Sequence, residues 1–309
     1  MKTAVVIDSA CDLPAAYLQK HQLHLLPNTL TLDNEVFTDN RDVDLTLAFH
    51  HRHAQSRNPD IKIKPCSVSA IIDLFLNHLV REYDRAILIA ISQTRSSLFQ
   101  NATEASFAIL RGYREQRRQA GLNTPFYLNV LDSRTAFAGQ AVLAHEVIRL
   151  LQNPALLFNE LRRLVEEFRR HIRCYILLDD LSYTRDQTGG KGEGGIGFLN
   201  YRLGLLLGVK PVVRFVEGEA ELAFKARGFE RALSDLFHQA RLEIDQGLRS
   251  PLVVLSYSGD PQALRQKHAF VEFEQYIRQW GIEVMVSVMS ATGGSYLGPN
   301  ALSLAFATA

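Results

Sequence analysis

The sequence has little cysteine, no long apolar run and no excess of either charge. Its three cysteines, Cys11, Cys66 and Cys174, are scattered over 309 residues. An odd, dispersed set excludes a disulfide framework and fits small buried thiols in a reducing compartment, which points to the cytoplasm. No Cys-x-x-Cys occurs, so a zinc site has no obvious basis. No uncharged apolar stretch reaches the roughly 18 residues needed to span a bilayer. The opening MKTAVVIDSACDLP carries one lysine and a short apolar run, too brief for a signal peptide, and reads as a first strand. Basic and acidic residues number 34 and 33, for a net charge of +1. Neither nucleic acid nor stable membrane insertion is expected as a partner on that balance.

What is present is ordinary globular material. Hydrophobic residues make up 47% and charged residues 22%, and the length suits two domains of about 100–200 residues each. Short apolar runs alternate with helical patterns. AVVID at 4–8 predicts a strand, followed by the capping residues Ser9 and Asp12 and a helix containing Ala15, Tyr17 and Leu18. AILIAI at 86–91 and FYLNVLDS at 126–133 repeat the plan, each with a helix behind it. Strand–cap–helix units in series indicate a parallel sheet covered on both faces.

Near 152–172 a second helix follows directly on the first, with Pro154 between them, and the domain boundary is placed there. Strands are expected at 174–180, 209–216, 221–226, 252–257 and 283–288, and helices at 196–208, 228–247 and 261–280. VKPVVRFVEGEAELAFKA reads as a hairpin turning at EGE, which makes the second sheet mixed. The fold class is therefore α/β, with an N-terminal parallel-sheet domain (1–160) and a C-terminal mixed-sheet domain (161–309).

Several constellations invite chemistry, and each has a plainer reading. Gly190, Gly192 and Gly195 have dinucleotide-loop spacing, but about ten residues separate them from the preceding strand, and a surface loop serves as well. His50, His51 and His53 form a cluster that reads as a solvated helix end more readily than as metal ligands. No Gly-x-Ser-x-Gly occurs. Cys66 precedes a helix whose dipole would favour a thiolate; the alternative is a small residue in a capping region. Ser67 and Ser69, Ser92 to Ser97, and Asp132 with Ser133 sit where strands end and helices begin. There they line the ligand crevice of an open sheet, with helix N-termini facing an anion, or simply cap helices.

The order of these segments resembles the DegV family. VVIDSACDLP is similar to its opening element, IAISQTRSSLFQNA to its second, and VLDSRTAFAGQ to its third. LLLGVKPVVRFVEGEAELAFKARGFERAL is the longest match, and YLGPNALSLAF closes it; together they run from residue 4 to 306. The resemblance implies a two-domain carrier that performs no chemistry itself and needs no cofactor or metal. It would hold a long-chain fatty acid in a tunnel and offer the carboxylate to a separate ATP-dependent kinase subunit. The N-terminal domain would supply head-group loops and the C-terminal domain would enclose the acyl chain. By position, the carboxylate-binding set falls on Ser92, Ser67, Cys66 and Tyr296, and partner docking on Lys191. The chain departs from the pattern at Pro65 and Cys66 (a threonine and a hydroxyl residue in the family), at Tyr296 (a histidine) and at Asn300 (a glycine). The competing reading is a hydrolase or acyltransferase that uses Cys66 or Ser92.

Overall fold

Side-chain alternation along the first strands decides where the layers lie. The computed structural model describes residues 1–32, 34–55, 61–181, 183 and 208–309. The chain opens with β1 (Thr3–Asp8), α1 (Ala15–Lys20), β2 (His24–Leu26), β3 (Asn28–Leu32), β4 (Glu35–Asp39), α2 (Val43–Gln55) and β5 (Ile61–Lys64). It continues with α3 (Val68–Leu74), a π-helical turn, α4 (Val80–Glu82), β6 (Arg85–Ala90), α5 (Leu98–Gln119), β7 (Tyr127–Asp132), α6 (Ala138–Leu151), α7 (Phe158–Phe168) and β8 (Ile172–Leu177). After the undescribed stretch come β9 (Val209–Val216), β10 (Glu219–Arg227), α8 (Phe229–Ile244), β11 (Leu252–Tyr257), α9 (Pro261–Arg265), α10 (His268–Gln279), β12 (Glu283–Val288), α11 (Ala291–Leu297) and β13 (Leu302–Ala307).

Strands β2-β1-β6-β7 form a four-stranded, fully parallel sheet. Every residue of β6 is buried, as a strand covered on both faces requires. Ala86, Leu88 and Ala90 face one apolar cluster, beneath α3 and α5. Ile87 and Ile89 face the other. The second sheet, in the order β10-β9-β8-β13-β11-β12, is mixed, with only β11 and β12 parallel. It divides its residues the same way. Leu302, Leu304 and Phe306 point toward α8 and α10, while Ala301, Ala305 and Ala307 point back toward the first sheet.

Helix α6 fills the space between the sheets. Ten of its fourteen residues are buried, which is the signature of a helix covered on all sides rather than along one stripe. Its alanines let both sheets approach closely, so one apolar core runs from Val5 and Ile89 through Val142 and Val147 to Cys174 and Val254.

Three features differ from the sequence expectation. Residues 261–280 form two helices, α9 and α10, separated at Gln266 and Lys267. Strand β13 at the centre of the mixed sheet was not expected at all. A third, antiparallel sheet, β4-β3-β5, packs against α2 and α11. Its short strands are only half-buried and carry too few residues for a clear period. The expected helix at 196–208 falls almost wholly outside the described residues.

The histidine cluster is not a solvated helix end. His50 and His53 are buried, at 5% and 1% exposure, and only His51 faces solvent. The reason is α11. A Cβ at Gly294 would lie 2.1 Å from the His50 ring, so the missing side chain is the slot the imidazole occupies. His50 Nε2 sits 2.8 Å from the Met289 carbonyl oxygen, and the His53 ring stands edge-on to Tyr183, 4.9 Å away. Burial lowers both pKa values from 6.5 to about 4.

The halves are tied by two buried carboxylates: Asp39 Oδ2 accepts from the Thr292 amide at 2.8 Å and hydroxyl at 2.7 Å, and Asp12 draws on more of the chain. Asp12 Oδ1 accepts from the Ser290 amide at 2.9 Å and meets Arg41 Nη1 at 3.1 Å; Oδ2 accepts from the Ser256 hydroxyl at 2.6 Å. Arg41 in turn donates to the carbonyls of Leu13 and Val288.

Two outcomes follow. Asp12→Ala leaves Arg41 charged and unpaired inside the protein, so stability should fall by about 3–5 kcal/mol. That would appear as a lowered urea midpoint with an unchanged slope. The unfolded chain protonates its histidines near 6.5, whereas buried His53 resists protonation until about 4. Histidine-linked stability is therefore intact above pH 6.5 and is lost as pH falls toward 4. Asp8 acts in the opposite sense, since burial raises its pKa from 3.8 to about 6. The readout is thus a difference: thermal melts of His53→Phe should lose less stability between pH 6.5 and 4 than those of the parent.

Candidate functional site

The carboxyl ends of β1, β6 and β7 converge, and two aspartates at the last strand positions organise the loops that follow. Asp8 Oδ2 accepts from the Ile91 amide at 2.7 Å and from Gln140 Nε2 at 3.0 Å, while Oδ1 accepts from the Ala10 amide at 2.8 Å. Asp132 Oδ1 accepts from the amides of Gln93, at 3.2 Å, and Arg134, at 2.9 Å. Each carboxylate thereby replaces the backbone partners that a loop leaving a sheet would otherwise lack.

Ser92 lies at the centre of this arrangement and is fully buried. Its amide donates to the Thr135 carbonyl at 3.0 Å. Its Oγ stands 3.0 Å from Thr94 Oγ1, and Thr94 donates onward to the Gly218 carbonyl. With Thr94 donating to Gly218, the Ser92 hydroxyl is the donor in its contact with Thr94 Oγ1, and it must turn away from that oxygen to meet an incoming acceptor. Among the described residues its hydrogen-bond partners are the hydroxyl and amide of Thr94. Among the described residues no base stands within hydrogen-bonding reach to activate it as a nucleophile.

The tip of the β9–β10 hairpin closes over Ser92. The turn is two residues, Glu217 and Gly218, with φ of 48° and 94°. Positive φ at both positions is the geometry that matches a tight hairpin to strand twist. The glycine is needed twice over, because a Cβ at Gly218 would also sit 2.9 Å from Ser92 Oγ. Ion pairs from Arg134 to Glu217 and from Arg95 to Glu219 hold the tip in place.

The other sequence-identified residues are placed differently. Ser67 is exposed and caps α3, accepting from the Ala70 amide at 3.2 Å with Ser69 Oγ at 3.0 Å. Cys66, its neighbour, is buried in the cluster beneath α3 and α5. Burial pushes its thiol pKa up, which disfavours the thiolate a nucleophile needs. Asn101 of α5 donates to the Cys66 carbonyl at 3.0 Å, so this loop packs beside the helix that the Ser92 loop begins. Tyr296 is half-buried on α11, against the same core that contains Ile91 and Phe137. Lys191 and the glycine-rich stretch lie outside the described residues.

Phe137 and Asp8 carry weight that the sequence reading did not assign them. Phe137 adopts φ 53°, ψ −119°, a conformation that a bulky residue rarely takes and that costs on the order of 1–3 kcal/mol. Its carbonyl accepts from the Asp12 amide, and it bridges to Cys11. Backbone strain is invisible in a one-dimensional pattern; the only available hint was the VLDSRTAFAGQ spacing. Among the described residues no group of three or more His, Cys, Asp or Glu is placed to hold a metal, and no helix is long and apolar enough to cross a membrane.

Comparison with known proteins agrees with this architecture. The model of the DegV family matches residues 2–309. A DegV domain-containing protein of Xanthomonas campestris pv. campestris is 37% identical over 307 residues, covering 99% of this chain and 98% of its own. A stearic acid-binding protein from Eubacterium ventriosum has a similar structure, with a TM-score of 0.81 at 20% identity, covering 99% of this chain and 98% of that one. The Streptococcus pneumoniae fatty acid kinase B3 protein loaded with linoleic acid gives a TM-score of 0.73 at 16% identity, with both chains fully covered. A family match over nearly every residue, joined to a close relative of equal length, makes this chain a member of the DegV family.

Proposed function

We infer that the chain binds a long-chain fatty acid and presents its carboxylate to a separate ATP-dependent kinase subunit in the cytoplasm. The observation that carries this reading is the Ser92 loop. A buried, uncharged hydroxyl stands at the carboxyl end of a parallel sheet, has no base beside it among the described residues, and lies under a hairpin tip that makes room for it with a glycine. Solved relatives of the same fold carry stearic and linoleic acids, and one of them is a fatty acid kinase protein.

The chemistry fits the proposed division of labour. Burying a sixteen-carbon tail, at roughly 0.8 kcal/mol per methylene, contributes on the order of 11 kcal/mol before entropy costs. The tail therefore supplies the affinity, and residues 161–309 would enclose it. The loops of residues 1–160 would orient the head group through Ser92 and Ser67, with Cys66 beside them and Tyr296 contributed from across the core. Neutral donors suit a carboxylate that must attack a phosphoryl group, because they leave its oxygen more nucleophilic than an arginine would. Lys191 remains the proposed contact with the kinase subunit.

Native mass spectrometry of the purified protein should reveal a co-purified fatty acid. Failure of delipidated protein to take up any saturated or monounsaturated long-chain acid would end the proposal. Ser92→Ala removes a donor to a buried acceptor, so ligand retention should weaken by about 1–3 kcal/mol; unchanged affinity would take Ser92 out of the site. Gly218→Ala drives a methyl toward Ser92 Oγ and strains a positive φ. It should accelerate fatty-acid release in a stopped-flow displacement assay while leaving α-helical circular dichroism unchanged.

A further inference from the structure

The balanced charge of the chain conceals a local imbalance. A cavity of about 240 Å³ is lined by Arg134, Arg169, Arg170, Arg173, Arg214 and a single acid, Glu217. Three of the arginines have carboxylate partners: Arg134 with Glu217, Arg214 with Glu221, and Arg173 with Glu243 at the long distance of 3.8 Å. Among the described residues, the remaining two have none within ion-pair distance. Arg169 donates to the Asp132 carbonyl at 2.7 Å, and its Nε is buried without a partner. Burial and the neighbouring Arg134 disfavour its charge, and Glu166, Asp132 and Glu217 offset this only in part. Cations crowded in a recess with too few carboxylates create a field that a small anion would relieve.

The recess has the shape and chemistry for a particular anion. Guanidinium forks match tetrahedral oxyanions through paired, charge-assisted hydrogen bonds. Ile172, Phe215 and Val216 give the cavity an apolar wall beside the guanidinium groups. The volume lies below the roughly 300–1,000 Å³ of a drug-sized site, which suits a phosphate with only a few atoms of whatever carries it. We propose that the cavity between Arg134, Arg169 and Arg170 is a phosphate-binding site, for free phosphate or for the phosphate of a nucleotide.

The site is wired to the Ser92 loop. Thr135 lines the cavity, and its carbonyl accepts the Ser92 amide. Glu217 also lines it and belongs to the hairpin turn that covers Ser92. A bound phosphate therefore competes with Glu217 for Arg134. That ion pair is about half-exposed, and such pairs contribute only about 0–1 kcal/mol, so the competition is feasible. The proposal stands on this cavity and does not require a fatty acid to be bound.

Isothermal titration calorimetry of the full chain with inorganic phosphate, and separately with ADP, tests it. The expected result is saturable binding of at least one of them. It should weaken about tenfold or more in Arg169→Gln/Arg170→Gln and in Arg170→Gln alone, as loss of charge-assisted bonds implies. It should tighten in Glu217→Gln, where the internal competitor is gone. Tighter binding of ADP than of phosphate would assign the anion to a nucleotide, and the reverse would assign it to free phosphate. No saturable binding of either by the folded parent, or equal affinity in all three variants, overturns the site. Fatty-acid content read by mass spectrometry on the same samples keeps this outcome separate from that of the acyl-binding proposal.

Discussion

Two buried carboxylates, Asp39 and Asp12, tie the N-terminal half to the C-terminal half, and the more widely connected of them is Asp12. It lies in the loop after β1, yet its oxygens are satisfied by Ser256 of β11, by the Ser290 amide that opens α11, and by Arg41 ahead of α2. An ionised group without water is tolerable only when every lone pair finds a donor, and here the donors come from three separate stretches of chain. The arrangement is therefore all-or-none. The first loop cannot sit where it does unless the third sheet and the C-terminal half are already in place around it. Ser287, donating to the Asp12 carbonyl, adds a further tie.

Around that node the architecture places loops rather than strands at the site. Helix α6 occupies the middle of the molecule and gives both sheets a common apolar wall. The carboxyl ends of β1, β6 and β7 are thereby turned toward the hairpin of the second sheet. Asp8 and Asp132 fix the loop backbones, and the β9–β10 tip supplies a lid whose fit depends on one missing side chain at Gly218. Rigid strands position the site, and its cover is carried by a two-residue turn held by half-exposed ion pairs. Such pairs are weak in water, so the cover is the part of the site most easily displaced.

Electrostatics illustrate the same separation of scales. Across the whole chain 34 basic and 33 acidic residues nearly cancel, and no polyanion partner is expected from that sum. Folding nevertheless gathers five arginines from the loop after β7, the segment joining α7 to β8, and β8 and β9 into one recess. Net charge reports solubility and long-range steering; it carries no information on which cations become neighbours.

Much of the architecture was legible in one dimension, because it rests on local periodicity. β6, β11 and β12 are continuous or alternating apolar runs, α5 and α6 follow β6 and β7 with helical spacing, and EGE marks a hairpin turn. The parallel first sheet and the mixed second sheet follow from those patterns. Periodicity placed Ser92 only in a group of hydroxyl residues after the apolar run 86–91, and it was the resemblance to the DegV family that singled it out. The three-stranded sheet, the central strand β13, the burial of His50 and His53, and the strain at Phe137 were not legible. Each depends on a partner far away in sequence: the Gly294 slot for His50, the β8 and β11 edges for β13, and the Asp12 loop for Phe137. The sequence by itself determined which segments become strands and helices and which faces are apolar, since those are properties of neighbouring residues. Tertiary structure alone decided which polar groups are buried together and which arginines share a cavity, since burial and Coulomb interactions act through space and take no account of chain order.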